Sequence, residues 1–506
     1  MSGAVKSIVI VGGGTAGWLS AAVIAAHHKQ ANGEQLTITL VESSDIPTIG
    51  VGEGTWPTMK NTLRQIGLRE SDVFKRCHAA FKQGGKFVNW VHGNGDFYYH
   101  PFTVPLGYGK LDLAPYVDKV ENFAVESNFQ HHVCEAGLAP RGLGDLDYQG
   151  PCNYAYHLDA GELATLLKEH CTEQLSVNHV VDTLTDTILA DDGSIAAITL
   201  SKTGAVKADL FVDCTGASAL LLGKALGVPY LEIGDVLFND RALAMQVPYE
   251  NEDAPITSHT IATAQDAGWI WDIGLTHRRG VGHVYSSRFT SDEHAEANLR
   301  RYLGKAADGL EARKIEYTPG HREKFWHKNC VAVGMAAGFV EPLEATAIML
   351  IELSSRYIAE NLPAEKSLMP IVSKRFNQQM DYRWQRIRDF LKLHYMLNQR
   401  SEPYWQAHCD EQFIPQTLKE DLAIWQYRGP ATNDFDSAIE LFPAASYQYV
   451  LYGMEFKPDF MRQQYLYNQN QQAQQLINRN QQLTEQMLQN LLPHRDYIEK
   501  WLATAS

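Results

Sequence analysis

Cysteine is sparse in this chain and is never paired at close spacing. The 506 residues contain seven cysteines, from Cys77 to Cys409, without a CxxC pair and without a Cys/His cluster at the spacing of a zinc site. The sequence therefore predicts neither a disulfide framework nor a structural metal. Cysteine usage of this kind is typical of a reducing compartment, and we expect a cytoplasmic protein.

The chain also lacks long apolar runs and an excess of positive charge. No run reaches the roughly 18 residues of a transmembrane helix, and the first strand-like segment comes too early for a secretory signal peptide. The 44 Lys and Arg against 59 Asp and Glu give a formal net charge of -15. Because such a charge disfavours attraction to nucleic acid or anionic lipid, we expect no nucleic-acid partner and no membrane association.

What is present begins with a glycine-rich turn. The segment SIVIVGGGTAGWLSAAVIAAHH places Gly12, Gly14 and Gly17 at GxGxxG spacing between an apolar β-branched run and an alanine-rich helical run. Glycine at these places permits a tight turn, approach of the backbone to a pyrophosphate, and close packing of helix on strand. The pattern predicts a dinucleotide site, and a purely structural glycine turn is the alternative.

The residues after this turn fit a bound dinucleotide. Thr15 and Ala16 begin the predicted helix, where oriented amides favour an anion. The next strand, LTITLVES, ends in Glu42, which is suitably placed to accept hydrogen bonds from ribose hydroxyls.

The dinucleotide fold is predicted to be interrupted and resumed. AVKADLFVDCTGASALL is a β-run ending at Asp213, where a second strand end approaches the same nucleotide, unless it is a plain strand and turn. CVAVGMAAGFVEPLEA, which contains Gly338, again reads as strand, glycine turn and helix. Interleaving of this kind favours FAD, which is long enough to contact all three segments. No second GxGxxG followed by an acid indicates a separate nicotinamide site.

A short glycine-rich loop, IGVGEGTWPTM, surrounds one glutamate. Gly50, Val51 and Gly52 precede Glu53, and a Trp-Pro pair follows. Since backbone with small side chains can lie against a flat ring, we expect flavin contact here. An ordinary tight turn is the alternative.

One lysine follows an apolar run. CHAAFKQGGKFVNW places Lys82 between Ala79–Phe81 and a Gly-Gly pair. Taken alone, this pattern favours a solvated surface lysine. A buried lysine would be a compact charge with three donors and a depressed pKa, able to donate to, or react with, an oxidised small molecule.

These segments together resemble one enzyme family, the flavin-dependent halogenases of the tryptophan halogenase type. The resemblance covers nearly the whole chain, and its further motifs are YYHPF, GWIWDIG, EPLEATA and LYGMEFKP. Trp269 and Trp271 in GWIWDIG match the tryptophan pair regarded as the family signature. The resemblance implies an α/β fold: an interleaved, Rossmann-like FAD-binding box of the flavoprotein monooxygenase type with a mainly helical C-terminal lobe.

The resemblance also implies halogenation of an electron-rich aromatic, such as an indole or a tryptophan-like compound, by FADH2, O2 and chloride or bromide. Lys82 matches the family's catalytic lysine, which would hydrogen-bond hypohalous acid or become a haloamine. Glu344 matches the catalytic glutamate, which would polarise the halogen donor and take the ring proton. From its position after Pro342 alone, Glu344 would instead be a carboxylate in the first turn of a helix, favoured by the helix dipole.

The remaining site residues are implied by the same resemblance. The family's halide site corresponds to the amides of Thr346 and Ala347. This sequence has Ala345 where serine is usual and Ala347 where glycine is usual, so halide preference stays open. His100 and Phe102 match positions that flank the indole, although core aromatic positions would look the same.

A separate NAD(P)H flavin reductase is the implied transient partner. Two other functions remain open. A single-component FAD aromatic hydroxylase would deliver oxygen directly to its substrate and oxidise NAD(P)H itself. A non-catalytic flavin-binding sensor would retain the fold without the chemistry.

No internal repeat and no long Pro/Gly/Ser linker marks a domain boundary. We expect a discontinuous FAD-binding box of residues 1–75, 151–240 and 301–362. The substrate-side segments are then 76–150 and 241–300, and the helical lobe is 363–506. The Gln/Asn-rich end of that lobe predicts an amphipathic helix, with a low-complexity tail as the alternative; its apolar residues at helical spacing are Leu476, Leu483, Met487 and Leu491.

Overall fold

The computed structural model describes residues 3–29, 36–45, 52–437 and 440–504. Numbered in chain order, the strands of these ranges are β1 Ser7–Val11, β2 Thr37–Glu42, β3 Gly52–Gly54, β4 Ala80–Lys82, β5 Gly84–Val88, β6 Phe97–Pro101, β7 Ala155–Asp159, β8 Asn178–Val181, β9 Leu184–Leu189, β10 Ile195–Leu200, β11 Gly204–Val206, β12 Leu210–Asp213, β13 Tyr230–Glu232, β14 Arg241–Pro248, β15 Thr260–Gln265, β16 Gly268–Gly274, β17 Arg278–Tyr285, β18 Arg313–Glu316, β19 Gly320–Arg322, β20 Trp326–His327, β21 Cys330–Ala332 and β22 Gly338–Phe339.

The α-helices are numbered in the same way. They are α1 Thr15–Lys29, α2 Thr58–Ile66, α3 Glu70–Arg76, α4 Phe123–Ser127, α5 Gln130–Glu135, α6 Ala160–Glu173, α7 Asp292–Leu303, α8 Thr346–Asn361, α9 Met369–Met396, α10 Pro403–Cys409, α11 Gln416–Trp425, α12 Ala444–Gly453, α13 Asn470–Asn490 and α14 His494–Thr504.

The chain forms two compact units, each assembled from three stretches of sequence. Unit 1 comprises Met1–Ala79, Leu158–Ile233 and Thr318–Trp384. Unit 2 comprises Ala80–His157, Gly234–Tyr317 and Gln385–Ser506. The assignment of FAD binding and substrate binding to particular segments of sequence stays a prediction.

Unit 1 contains a six-stranded sheet in the order β20-β21-β12-β1-β2-β8. Strands β21, β12, β1, β2 and β8 run parallel to one another, and β20 pairs antiparallel with β21 at the edge. Ile8, Val9 and Ile10 in β1 are buried, as a strand covered on both faces requires. The predicted interruption and resumption is therefore confirmed in the sheet, because β1, β12 and β21 are adjacent although far apart in sequence.

The insertions of unit 1 form small antiparallel sheets. Strands β9, β10 and β11 pair antiparallel in sequence order, with turns at Asp192-Gly193 and Thr203-Gly204. Helix α6 begins after Asp159, whose carboxylate accepts hydrogen bonds from the amides of Gly161 and Glu162. The Asp159 side chain is therefore the N-terminal cap of α6.

Unit 2 contains a seven-stranded sheet in the order β18-β14-β17-β16-β15-β5-β6. Helix α7 covers part of one face, where Leu299 packs with Leu243, Ile270 and Val281 of the strands. Trp269 on β16 is fully buried. At least this half of the tryptophan pair thus has a core-packing role.

The C-terminal part of unit 2 is helical. Helix α13 confirms the amphipathic helix predicted from the Gln/Asn-rich sequence, because Leu483 and Met487 pack with Phe129 and Val133. Among the described residues, no helix is long and apolar enough to cross a membrane, and no group of His, Cys, Asp and Glu could hold a metal ion.

Candidate active site

The GxGxxG turn joins β1 to α1 in unit 1. Gly12 has a φ of +117°, and a Cβ there would lie 2.2 Å from the carbonyl oxygen of Cys214. A Cβ at Gly17 would lie 1.8 Å from the Gly12 carbonyl oxygen, whereas one at Gly14 would meet nothing within 4 Å. Gly12 and Gly17 are therefore required by packing, and Gly14 leaves open space above the turn. Such space beside helix amides fits a pyrophosphate.

Glu42 lies at the end of β2 beside this turn. Its Oε1 accepts hydrogen bonds from Lys168 Nζ and His179 Nε2, each at 2.8 Å. Its Oε2 would lie 1.7 Å from a Cβ at Gly13, so only glycine fits there. The two hydrogen bonds to Oε1 thus hold Glu42, the predicted ribose acceptor, beside the glycine turn. Its Oε2 atom points at that turn. Gly13 was not singled out from the sequence, because its importance depends on a side chain 29 positions away.

The first helical residues pack closely within unit 1. Thr15 Oγ1 donates to the carbonyl of Ala160 over 3.4 Å. A Cβ at Gly334 would lie 2.8 Å from the Cβ of Ala16. Gly334, rather than Gly338, is therefore the glycine of the third segment that approaches the turn.

Gly338 and Asp213 have structural contacts of their own. Gly338 is buried on β22, where a Cβ would lie 2.6 Å from the carbonyl oxygen of Gly320. The buried Asp213 carboxylate accepts hydrogen bonds from the Thr215 hydroxyl and amide and from the amides of Leu221 and Leu222. These bonds hold the turn after β12 and the π-helical turn that follows.

The glycine-rich loop is described from Gly52 onward, and Gly50 and Val51 lie outside the described residues. Gly52 and Glu53 are part of β3. Burial, followed by the Asp159 carboxylate, raises the pKa of Glu53 to about 7. Glu53 is therefore partly protonated near neutral pH and can donate as well as accept a hydrogen bond.

Lys82 lies at the end of β4 in unit 2 and is only 4% exposed. Of the two alternatives, the solvated surface lysine is wrong, because β4 pairs with β7 in the core of the unit. The Nζ atom lies 5.3 Å from the centroid of the Phe102 ring, within cation–π range. Burial, followed by the positive charge of Lys82, holds the pKa of His157 well below its usual range, so that this neighbour is neutral.

The residues after Lys82 bring Phe102 into place. The Phe102 amide donates to the Gln83 carbonyl over 3.0 Å. Gly84 allows β6 to approach, because a Cβ there would lie 2.3 Å from the carbonyl oxygen of His100. His100 Nε2 is hydrogen-bonded to Ser446 Oγ at 2.9 Å, and its ring is buried. Lys82, Phe102 and His100, which precedes Phe102 by two positions in the sequence, therefore all lie in unit 2.

Glu344, in unit 1, precedes α8 instead of lying in its first turn. The predicted position is wrong, because the helix begins at Thr346 after a kink. Glu344 has φ 64° and ψ 4°, and the N-cap Ala345 has φ 54° and ψ 47°. Left-handed backbone costs a non-glycine residue about 1–3 kcal/mol, and such strain is typical of functional sites. The Glu344 side chain is half-buried.

The two residues predicted to bind halide begin α8. Thr346 is buried and Ala347 is exposed. The N-cap Ala345 has no side-chain acceptor for the amides of the first turn. Unpaired amides at a helix N-terminus favour an anion in general, and the assignment of halide binding to Thr346 and Ala347 stays a prediction.

Two residues of this region were missed from the sequence. Trp56 Nε1 donates to the carbonyl oxygen of Glu344 over 2.6 Å. Glu352 on α8 is buried and accepts hydrogen bonds from Thr58 and Thr62 of α2. The spacing within α8 places Glu352 on a helix face, but only the packing of α2 shows that the face is buried.

A family model described as tryptophan halogenase matches residues 7–469. The chain belongs to the tryptophan halogenase family. The resemblance inferred from the motifs is confirmed, and it extends over both units.

Characterised and solved members show how similar this halogenase is to them. It is 37% identical over 470 residues to the 7-chloro-L-tryptophan 6-halogenase KtzR of Kutzneria sp. (strain 744), covering 88% of this chain and 90% of that protein. The crystal structure of a tryptophan halogenase from Shewanella frigidimarina NCIMB 400 has a TM-score of 0.95 at 45% identity, covering 99% and 98% of the two chains. Tar14, a tryptophan C-6 flavin-dependent halogenase (chlorinase) from taromycin biosynthesis, has a TM-score of 0.91 at 34% identity, covering 99% and 100%.

The family settles the enzyme class. The predictions of a flavin-dependent halogenase and of an α/β flavoprotein fold with a helical C-terminal region are confirmed. The reaction of such a halogenase uses FADH2, O2 and a halide ion.

Proposed function

We propose that this chain halogenates an electron-rich aromatic ring, with an indole or a tryptophan-like compound as substrate. The observation that carries the proposal is the buried amine of Lys82 beside the Phe102 ring in a member of the tryptophan halogenase family. The related proteins KtzR and Tar14 are described as acting on tryptophan or its chlorinated form, which supports an indole ring.

The residues of unit 1 fit FAD. Open space at Gly14 and the amides of Thr15 and Ala16 suit a pyrophosphate, and Glu42 suits a ribose. We assign Glu53, with its raised pKa, to the flavin side of the cofactor. Reduced FAD and O2 supply the oxidation of halide to hypohalous acid. Asp213 and Gly338 act by shaping the neighbouring strands and turns.

The role of Lys82 is to hold the oxidised halogen. Its Nζ donates a hydrogen bond to hypohalous acid, or forms an N–halogen bond and releases one water. In either form the halogen passes to a ring carbon of the substrate as an electrophile. The burial of Lys82 supports this role, because a water-excluded site limits the escape and side reactions of the oxidant.

Glu344 is the base in this proposal. The ring carbon that accepts the halogen must lose its proton to restore aromaticity, and a carboxylate can take it. The left-handed backbone of Glu344 and its half-buried side chain support a functional role over a helix-capping one.

The halide and substrate residues complete the proposal. The amides of Thr346 and Ala347 bind chloride or bromide. Phe102 stacks on the aromatic substrate, and the buried His100 lines the same region of unit 2.

A separate NAD(P)H flavin reductase is the proposed partner, meeting the halogenase transiently because FADH2 can diffuse between enzymes. The cytoplasm, where NAD(P)H is available, is the proposed location.

The test is product mass spectrometry. The protein is incubated aerobically with FAD, a generic flavin reductase, NADH, bromide or chloride, and indole or tryptophan. We expect a product with the mass and isotope pattern of one halogen, absent when halide or reductase is omitted. A product heavier by one oxygen instead would contradict halogenation and favour a hydroxylase.

A further inference from the structure

Two consecutive residues before α8 hold a backbone conformation that their side chains do not favour. Glu344 and Ala345 both have positive φ, and neither is glycine or asparagine. A residue of this kind keeps such a conformation only where its surroundings hold it. The contacts of this turn are therefore part of what sets the direction of the Glu344 side chain.

Trp56 makes one such contact. Its indole Nε1 donates to the carbonyl oxygen of Glu344 over 2.6 Å, across 288 positions of sequence. The carbonyl and the carboxylate side chain of Glu344 are attached to the same Cα. A hydrogen bond that fixes the carbonyl thus limits rotation of the backbone and with it the direction of the carboxylate.

Trp56 is itself held against α8 by the helix that follows it. It precedes Pro57, the N-cap residue of α2. Helix α2 is joined to α8 at Glu352, whose two oxygens accept from Thr58 at 3.1 Å and Thr62 at 2.5 Å. Since α8 begins two residues after Glu344, Trp56 and Glu344 are positioned on a common support within unit 1.

We propose that Trp56 is a positioning residue for Glu344: its indole N–H fixes the strained turn and so directs the carboxylate that takes the ring proton. The role of Glu344 in this statement rests on the proposed function. Trp56 itself transfers neither proton nor halogen.

The test is a double-mutant cycle with Trp56→Phe and Glu344→Ala. Phenylalanine keeps an aromatic ring and removes the N–H donor. Trp326→Phe is the matched control, because it removes an indole N–H that donates to the Lys328 carbonyl oxygen of unit 1 instead of to Glu344. For each variant, kcat and KM for the aromatic substrate are measured with saturating FADH2 supply, together with the FAD affinity and the melting temperature.

Loss of one hydrogen bond predicts a fall in kcat of about five- to tenfold for Trp56→Phe. For Trp56→Phe, the FAD affinity, the KM and the melting temperature should stay close to wild type, and Trp326→Phe should keep the wild-type kcat. In the Glu344→Ala background, Trp56→Phe should have no further effect. An equal fall in both backgrounds, or an unchanged kcat, would overturn the proposal.

A second readout does not depend on activity. In protein labelled with 15N at indole nitrogens, the Trp56 signal is assigned by its loss in Trp56→Phe, or in Trp56→Tyr should the first variant not fold. We expect its N–H proton to exchange slowly with solvent. Exchange as fast as in a free indole would overturn the proposal, whereas slow exchange in a protein without halogenase activity would refute the proposed function and leave the contact standing.

Discussion

Two glycines of the GxGxxG turn, Gly12 and Gly14, have different roles, the first in folding and the second in cofactor binding. Gly12 has a positive φ and lies against the Cys214 carbonyl, whereas Gly14 has open space around its Cα. Gly12→Ala should cost about 2 kcal/mol or more of unfolding free energy, because backbone atoms would have to move.

The Gly14→Ala variant is the matched control for folding. It should change the unfolding free energy by no more than about 0.5 kcal/mol. It should weaken FAD binding about tenfold, or about 1.4 kcal/mol, because a methyl group would enter the space assigned to the pyrophosphate. Thermal unfolding and FAD titration of both variants check this, and unchanged FAD affinity in Gly14→Ala would refute the assignment.

The burial of Lys82 at the end of β4 depends on distant parts of the sequence. The local pattern around Lys82 favoured a surface lysine, yet pairing with β7 buries it. The close contact of Gly13 with Glu42 is likewise non-local. The order of the motifs predicted the cofactor type, because glycine turns and strand ends can be recognised from short stretches of sequence. The burial of Lys82 depends on pairing between distant segments, which short stretches of sequence do not show.

At the scale of elements, the contact of α2 with α8 contains a buried carboxyl group. Burial raises the pKa of Glu352 to about 7 from 4.5, although Thr62 and Thr58 lower it by hydrogen bonding. Between these values the folded state binds more protons than the unfolded state. The contribution of Glu352 to stability is therefore fully present below about pH 4.5 and is lost as pH rises through about 7.

Replacement of Glu352 by glutamine should remove this pH dependence. A shift from 4.5 to about 7 corresponds to about 3 kcal/mol. The unfolding free energy of Glu352→Gln relative to wild type should thus rise by about that amount between pH 4.5 and pH 8. Denaturant unfolding at several pH values measures it, with the exposed Glu411→Gln as control. An equal difference at all pH values would show that Glu352 titrates normally.

The elements also show where prediction from sequence ends. The strand–turn–helix unit around Gly12 and the strand that ends at Asp213 were predictable because apolar runs and glycine spacing define them. The kink at Glu344 was not, because EPLEATA has no glycine to signal a left-handed residue. That kink moves Glu344 out of the helix and leaves the amides of Thr346 and Ala347 as its first turn.

At the scale of the whole molecule, the sequence has one GxGxxG motif followed by an acid and no second one. We therefore expect the protein with FAD and NADH to leave NADH unoxidised. Addition of a flavin reductase should start both NADH oxidation and product formation. Absorbance at the NADH band checks this, and substrate-stimulated NADH oxidation without a reductase would favour the single-component hydroxylase.

The central claim is that the buried amine of Lys82 carries the halogen to the substrate. Lys82→Met tests it most directly, because methionine keeps an unbranched apolar stem and removes the amine. Product formation from indole or tryptophan should fall by about 100-fold or more, while the FAD affinity and the melting temperature stay close to wild type. Halogenated product formed by Lys82→Met at the wild-type rate would contradict the claim.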